Sequence, residues 1–121
     1  WLNPEQHFEN GGVFSLAYAD DQLVGVGSMQ IPSEGKVYNK DGINYAFFGK
    51  VGFFVSEEYR RNNIANTLAT ALEDAFLSAY SKYNSDDYAP VVFCSRQACA
   101  IAQSQFKKII TDKDVRRIFN I

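Results

Sequence analysis

The stretch YAFFGKVGFFVSEEYRRNNIANTLATALEDAFLSAY, residues 45–80, determines the fold. Its first part, Tyr45–Val55, is almost entirely apolar and rich in aromatic side chains, which predicts a strand that is covered on both faces and central in a sheet. From Asn62 to Tyr80 the apolar residues recur at steps of three and four, which predicts an amphipathic helix. A buried strand, a short turn and a helix in this order indicate an α/β or α+β domain.

Alternation along the central strand divides its side chains between two faces. It predicts Phe47, Val51 and Phe53 on one face, with Phe48 and Lys50 on the other. Both faces then carry apolar side chains, as a central strand requires.

An antiparallel hairpin is predicted before this unit. Val13–Tyr18 and Leu23–Ile31 are apolar and flank a polar, acidic turn. Gly25 and Gly27 in the second strand indicate that another element approaches its backbone closely. The polar residues 32–42 that follow predict a loop.

A second strand and helix are predicted after the long helix. Residues 81–90 are polar and predict a loop, Val91–Cys94 is a short buried strand, and Arg96–Lys108 is a helix rich in Ala and Gln. A strand, a crossover helix and a second strand predict that Tyr45–Val55 and Val91–Cys94 are parallel or nearly so. Val115–Phe119 is compatible with either a strand or a helical turn.

Composition limits the classes of function. The 121 residues predict one domain over residues 1–121, and 46% hydrophobic and 15% aromatic residues exclude a disordered chain. A formal net charge of −2 offers no general basic field for nucleic acid or an anionic membrane, although Lys107–Arg117 is locally basic. The sequence contains neither a leader nor an apolar run of about 18 residues. A cytoplasmic protein without a membrane or nucleic-acid partner is therefore predicted.

The two cysteines, Cys94 and Cys99, are five residues apart and match no metal-binding motif. They are predicted to be reduced thiols that pack as small buried residues. No metal site is expected.

The turn between the central strand and the long helix is a candidate anion site. A helix that begins at Asn62 leaves its first N–H groups without intrahelical partners, and its dipole is positive at that end. Arg60 and Arg61 add positive charge at the same corner. The residues by themselves predict a phosphate or pyrophosphate site, or equally a helix start satisfied by water and the Asn62 side chain.

Residues 55–75, VSEEYRRNNIANTLATALEDA, resemble the acetyl-CoA-binding segment of the GNAT family of N-acetyltransferases. That family has Gln or Arg, two free positions, Gly, one free position, then Gly or Ala. Arg60 matches the first position and Ala65 the last, whereas Asn63 replaces the central Gly. Asn is among the non-glycine residues that best tolerate left-handed backbone. The hairpin FSLAYADDQLVGVGSMQI, residues 14–31, also resembles the family.

The resemblance implies a mixed, mostly antiparallel sheet flanked by helices, and it leaves open whether the fold is incomplete at both ends. It implies acetyl-CoA as co-substrate, with Phe53 and Val55 pairing their main chain with the pantetheine arm. It further implies a pyrophosphate cradle, which the amides of the following residues would form: Arg61, Asn62, Asn63, Ile64 and Ala65. Arg60 opens this turn.

Catalytic residues are less well determined. The central strand contains no Asp or Glu to act as the base that many family members use, and Phe106 takes the position of their acidic tyrosine. The remaining acid or base candidates are Tyr45, Tyr59 and Glu34, together with Tyr38 and His7, none of which lies in a diagnostic spacing.

Two functions follow from the resemblance. The first is an acyltransferase that moves an acetyl group from acetyl-CoA to an amine of a small molecule or peptide by direct attack. The second is a catalytically silent CoA-binding or interaction domain. The family's additional strands and helices leave open whether the chain is a fragment, and a homodimer would supply a missing sheet edge. The sequence does not identify the acceptor.

Overall fold

The computed structural model describes residues 12–31 and 36–120. The strands are β1 Val13–Ala19, β2 Gln22–Met29, β3 Lys36–Lys40, β4 Ile43–Val55, β5 Tyr88–Phe93 and β6 Ile110–Thr111. The helices are α1 Ile64–Ala79, α2 Arg96–Gln105 and α3 Asp112–Ile118. Short 3-10 turns occupy Glu57–Tyr59 and Ser81–Asn84. In the described part of the chain, no helix is both long enough and apolar enough to cross a bilayer.

The strands form one six-stranded sheet in the order β1-β2-β4-β5-β6, and β3 pairs with the first half of β4. The pairings of β1 with β2, β2 with β4 and β3 with β4 are antiparallel, whereas β4–β5 and β5–β6 are parallel. The predicted hairpin, the central position of β4 and its parallel pairing with β5 are confirmed. The fold class, an α/β domain with a mixed, mostly antiparallel sheet, is confirmed as well.

Two tight turns connect the antiparallel pairs. Asp20 and Asp21 both have positive φ, 49° and 66°, as do Asp41 and Gly42 at 53° and 85°. Two-residue turns of this conformation match the twist of the strands that they join. The prediction of a loop throughout residues 32–42 is wrong, because the Asp41-Gly42 turn signal makes Lys36–Lys40 the partner of β4.

A β-bulge interrupts the alternation of β4. The Gly49 N–H donates to the Gln30 carbonyl at 2.9 Å, and the Gln30 N–H donates to the Lys50 carbonyl at 3.0 Å, so two residues of β4 oppose Gln30, the residue directly after β2. The extra residue shifts the phase, and Phe48 and Val51 join the same core cluster. The predicted division of side chains between the faces is therefore wrong on one side of the bulge.

The two faces of the sheet are covered by different helices. On one face, Leu72 and Phe76 of α1 pack with Met29, Phe48 and other buried residues. A Cβ on Gly25 would lie 3.0 Å from the Leu68 side chain, which confirms the close approach predicted for β2. On the other face, the smaller cluster contains Tyr45, Val91 and Val115, with Phe119 packed against it.

Other element ends differ from the predictions. Helix α2 ends at Gln105 rather than Lys108, because the next residues turn towards α1 and donate their N–H groups to Glu73. Strand β5 begins at Tyr88, inside the segment predicted as a loop. The ambiguous segment Val115–Phe119 lies mostly in α3.

Candidate functional site

A cleft opens where β4 and β5 separate. Pairing between these strands extends only to Lys50 and Phe93. Strand β4 then continues to Val55, whereas the chain after β5 turns away into α2. In the described part of the chain, no strand pairs with the β5-facing edge of the last residues of β4, so this edge is open there.

The hydrogen-bond phase of β4 decides which main-chain groups face this opening. The Gln30 N–H bonds the Lys50 carbonyl, and the Ser56 N–H donates to the Val24 carbonyl at 2.8 Å. Because paired residues alternate along an antiparallel strand, the even-numbered residues here bond to β2. The odd-numbered residues Val51, Phe53 and Val55 therefore direct their main-chain groups away from β2. Because a parallel pairing at Lys50 and Phe93 engages the N–H of the next residue, Val51, the N–H groups on the open side are those of Phe53 and Val55.

The start of α1 lies beside this opening and has no side-chain cap. Asn63 is the N-cap residue and adopts the left-handed conformation, with φ 64° and ψ 15°. Its side-chain oxygen accepts a hydrogen bond from the Asn66 side chain at 2.6 Å instead of from a helix amide. The intrahelical hydrogen bonds begin with the Thr67 N–H, which donates to the Asn63 carbonyl at 3.2 Å. The earlier amides of α1 are thus at the cleft, and the prediction that Asn63 tolerates left-handed backbone is confirmed.

Arg61 is also left-handed, with φ 69°. Left-handed residues in a turn direct successive N–H groups towards one side, which creates a concave site suited to an anion. The Asn62 side chain donates to the Tyr59 carbonyl at 3.3 Å. The alternative prediction, that Asn62 caps the helix, finds no supporting hydrogen bond among the described residues.

A cavity of about 540 Å³ joins the strand edge to the helix start. The predicted binding residues that line it are Phe53, Val55, Arg60, Arg61, Asn63, Ile64 and Ala65. Asn62, which was also predicted to bind the ligand, does not line the cavity. Phe54, Tyr59, Asn66, Gln97 and Ile101 complete the wall, and the last two come from α2. Gln97 and Ile101 were not predictable as site residues, because only the packing of α2 beside α1 brings them to the cavity.

The charge around the cavity favours an anion. The Arg60 Nε donates to the Val55 carbonyl at 3.0 Å, so this guanidinium fixes the turn at the end of β4. Arg61 is exposed at the rim, and the first turn of α1 contains no acidic residue. Glu57 and Glu58, the acidic residues between β4 and α1, line a different surface pocket.

The structure separates the catalytic candidates. Tyr45 is a core residue rather than an acid or base of the cleft, since it is buried and packs edge-on against Phe119 at 5.1 Å. Tyr59 lines the cavity at the end nearest the start of α1. Glu34 and His7 lie outside the described residues. Phe106 follows the end of α2 and packs against the larger core cluster.

A second pocket of about 430 Å³ lies at the bulge of β4. It is lined by Gln30, Lys50, Val51, Gly52, Phe93, Cys94, Ser95 and Asp112. Lys50 and Asp112 are its charged residues. Sequence reasoning missed Asp112 as a site residue, because β6 and α3 carry it to the bulge from far along the chain.

The prediction of two reduced thiols is wrong in this structure, because Cys94 and Cys99 form a disulfide that ties the end of β5 to α2. Their sulfur atoms and a carboxylate oxygen of Asp112 lie within 4.8 Å of one another. A disulfide provides no thiolate, which is the form of cysteine that binds metal ions. The cluster is therefore assigned no metal.

One comparison with known proteins identifies the family. The family model described as the acetyltransferase (GNAT) family matches residues 1–87. A search of curated proteins gave no match.

Similar solved structures include an acetyltransferase from Vibrio fischeri, with 15% identity over 74% of this chain and 68% of that chain and a TM-score of 0.44. An aminoglycoside antibiotic 6'-N-acetyltransferase from Acinetobacter haemolyticus has 15% identity over 97% of this chain and 68% of that chain, with a TM-score of 0.45. A possible acetyltransferase from Clostridium difficile 630 has 19% identity over 79% and 58%, with a TM-score of 0.39.

Proposed function

Because this chain belongs to the GNAT acetyltransferase family, we propose that it transfers an acetyl group from acetyl-CoA to an amine, with acetyl-CoA bound along the open edge of β4. The observation that carries the proposal is the cavity in which this edge and the uncapped start of α1 meet. A strand edge and an uncapped helix start supply complementary groups for one elongated, anionic ligand.

The pyrophosphate end of the ligand fits the start of α1. Amides without intrahelical partners and the positive end of the helix dipole favour a doubly charged anion there. Arg61 adds a guanidinium at the rim. Asn63 supplies the left-handed backbone that the family's glycine provides, so its presence does not count against binding.

The pantetheine arm fits the open edge of β4. Its amide groups are donors and acceptors that can continue the sheet, as added strands do. Phe53 and the Val55 N–H direct main-chain groups to this side, while the Val55 carbonyl is already bonded to Arg60. The ligand would therefore run from the helix start towards the bulge.

The acyl group would then lie beside Val51, where the pairing of β4 with β5 ends. The Phe53 N–H, the first N–H of β4 beyond that pairing, is suited to bind the oxyanion that develops when an amine attacks the thioester carbonyl. A fixed donor of this kind contributes on the order of 3 kcal/mol to lowering the barrier. Cytoplasmic location and a small-molecule or peptide acceptor remain predictions.

A catalytically silent CoA-binding domain is the alternative. It is favoured by the absence of a carboxylate on β4 and by the position of Phe106 against the core. The two functions share the binding site and differ only in turnover.

Titration calorimetry with acetyl-CoA, combined with a thiol-release assay across an amine panel, tests both. We expect saturable binding at a single site and release of thiol with at least one amine. Binding without release would support the silent domain, and absence of binding would exclude both functions.

A variant locates the site. Ala65→Ile places a β-branched side chain in the cavity and should weaken acetyl-CoA binding by about tenfold or more, which corresponds to about 1.4 kcal/mol. Ala79→Ile, on the exposed last turn of α1, is the matched control and should leave affinity unchanged. Equal affinity of Ala65→Ile and the unmodified protein would contradict the assignment of the cavity.

A further inference from the structure

Asp112 is an acidic side chain in the second pocket that forms no ion pair with any residue in 12–31 or 36–120. The ion pair in the described part of the chain joins Arg117 and Asp114. The Asp112 Oδ1 lies 3.9 Å from the Cys94 sulfur, which in a disulfide has no proton to donate. The cap of α3 is complete without Asp112, because Thr111 and Asp114 form it.

The pocket meets the open edge of β4 at the position where the acyl group would lie. Val51 and Gly52 form part of its wall, and they directly follow Lys50, where the pairing of β4 with β5 ends. Asp112 belongs to the same pocket, on the side contributed by α3. An amine bound to Asp112 would therefore be next to the acyl group on the opposite side of β4 from α1.

An aromatic strip, defined as Tyr38, Phe47 and Phe93, leads to this pocket across the sheet. The ring centroids of Tyr38 and Phe47 are 5.6 Å apart, and those of Phe47 and Phe93 are 6.1 Å apart. Phe93 is 41% exposed and lines the pocket itself. An apolar or aromatic group next to the amine would cover exposed ring surface here, which favours its binding.

Lys50 places a positive charge in the same pocket. It is exposed and forms no ion pair with a described residue. A ligand with a second ammonium group would bring like charges together, which is unfavourable. The pocket therefore disfavours polyamines.

We propose that this pocket binds the acceptor, that Asp112 receives its amino group, and that the aromatic strip selects a monoamine with an aromatic or apolar substituent. The inference rests on the proposed function and adds the acceptor class to it. Asp112 at the first turn of α3 also interacts favourably with the helix dipole, so its test must separate binding from stability.

The chemistry balances around Asp112. The amine arrives as an ammonium ion beside the carboxylate and loses one proton to water before it attacks. The nitrogen forms a bond to the carbonyl carbon and the carbon–sulfur bond breaks. After the attack, Asp112 accepts the second proton that the nitrogen loses. It then returns this proton to the departing thiolate, so the products are an amide, a free thiol and the original carboxylate.

Calorimetry on protein saturated with CoA, which cannot react, tests acceptor binding directly. The probes are 2-phenylethylamine, ethylamine and spermidine. We expect 2-phenylethylamine to bind about tenfold more tightly than ethylamine because of its ring, and more tightly than spermidine. Phe93→Ala should reduce the preference for 2-phenylethylamine over ethylamine to near one. Tyr18→Ala, which removes an exposed aromatic ring from β1, is the control and should preserve the preference.

Asp112→Asn should weaken binding of both monoamines by about tenfold and leave the Kd of CoA unchanged. Asp112→Glu should recover part of the affinity, whereas Asp74→Asn, on an exposed face of α1, should have no effect. Where turnover with acetyl-CoA is measured, Asp112→Asn should lower kcat by about a hundredfold.

Amine binding that is unchanged in Asp112→Asn, or tightest for spermidine, would overturn this inference. If CoA itself does not bind, the proposed function fails instead, so the two failures are distinguishable. A change in stability without a change in amine affinity would show that Asp112 only supports α3.

Discussion

Helix α1 begins with its first amides uncapped, whereas helix α3 begins with its amides bonded by its own side chains. The Asp114 N–H donates to the Thr111 Oγ1 at 3.3 Å, and the Asp114 carboxylate accepts from the Thr111 N–H at 3.1 Å. At α1, the Asn63 side chain bonds Asn66 instead. A fold that can cap a helix, and does so at α3, has left the start of α1 available at the edge of a cavity.

A third set of amides, which follows α2, is bonded to a buried carboxylate of the protein itself. The N–H groups of Lys107, Lys108 and Ile109 donate to the carboxylate of Glu73, at 2.9 to 3.1 Å. Glu73 lies in α1 and is only 5% exposed. Here the protein supplies the anion itself, whereas the amides at the start of α1 face an open cavity. The comparison distinguishes amides that stabilise the fold from amides that are available to a ligand.

The largest expected effect comes from removing the internal anion. Glu73→Ala leaves three amides without their acceptor and should lower the free energy of unfolding by about 3 kcal/mol or more. Urea unfolding measures this loss in the free energy of unfolding. The neighbouring exposed Asp74→Ala is the control and should change stability by less than about 0.5 kcal/mol. A loss below about 1 kcal/mol in Glu73→Ala would mean that other groups satisfy these amides.

Removing the cap of α3 should have a smaller effect on stability and no effect on ligand binding. Thr111→Ala removes the hydroxyl that caps α3 and should cost about 1 kcal/mol of stability, with unchanged acetyl-CoA affinity. Urea unfolding and calorimetry on the same sample measure both. A parallel loss of acetyl-CoA affinity would contradict the division between structural and ligand-binding helix starts.

The same cap predicts a pH dependence. Burial by itself would raise the pKa of Asp114, but hydrogen bonds from Thr111 and Gln103, with the charge of Arg117, hold it below the ordinary value of 3.8. A pKa that is lowered in the folded state stabilises the protein when the pH is above the ordinary pKa. This stabilisation is lost as the pH falls through the folded-state pKa. Asp114→Asn should therefore show a smaller loss of stability than the unmodified protein between about pH 5 and pH 2. Identical acid profiles would exclude this role for Asp114.

The smallest effect is expected at Asn63. Asn63→Gly keeps the left-handed conformation available and should preserve or improve acetyl-CoA affinity, while stability changes by less than about 1 kcal/mol. Asn63→Ala should cost about 1 kcal/mol, because alanine tolerates a positive φ less well. Calorimetry and urea unfolding separate the two properties. Weaker binding in Asn63→Gly would show that the asparagine side chain itself contributes to the site.

Much of the fold was predictable because its signals are local. The apolar run Tyr45–Val55, the periodicity of α1 and the turn chemistry between β1 and β2 each depend on neighbouring residues. The Asp41-Gly42 turn was an equally local signal for β3 that the polar composition of residues 32–42 obscured. The bulge at Gly49 and Lys50 was not predictable by alternation, because it depends on how β4 pairs with Gln30.

The sequence by itself determined the strand–turn–helix unit and the residues of the proposed anion site, because a strand, a left-handed Asn63 and the first turn of α1 lie within one short segment. Only the tertiary structure decided that Tyr45 is buried, that α2 closes the cavity with Gln97, and that Asp112 lies at the bulge. Local backbone preferences are encoded in adjacent residues, whereas a pocket between distant segments exists only after the sheet has brought them together.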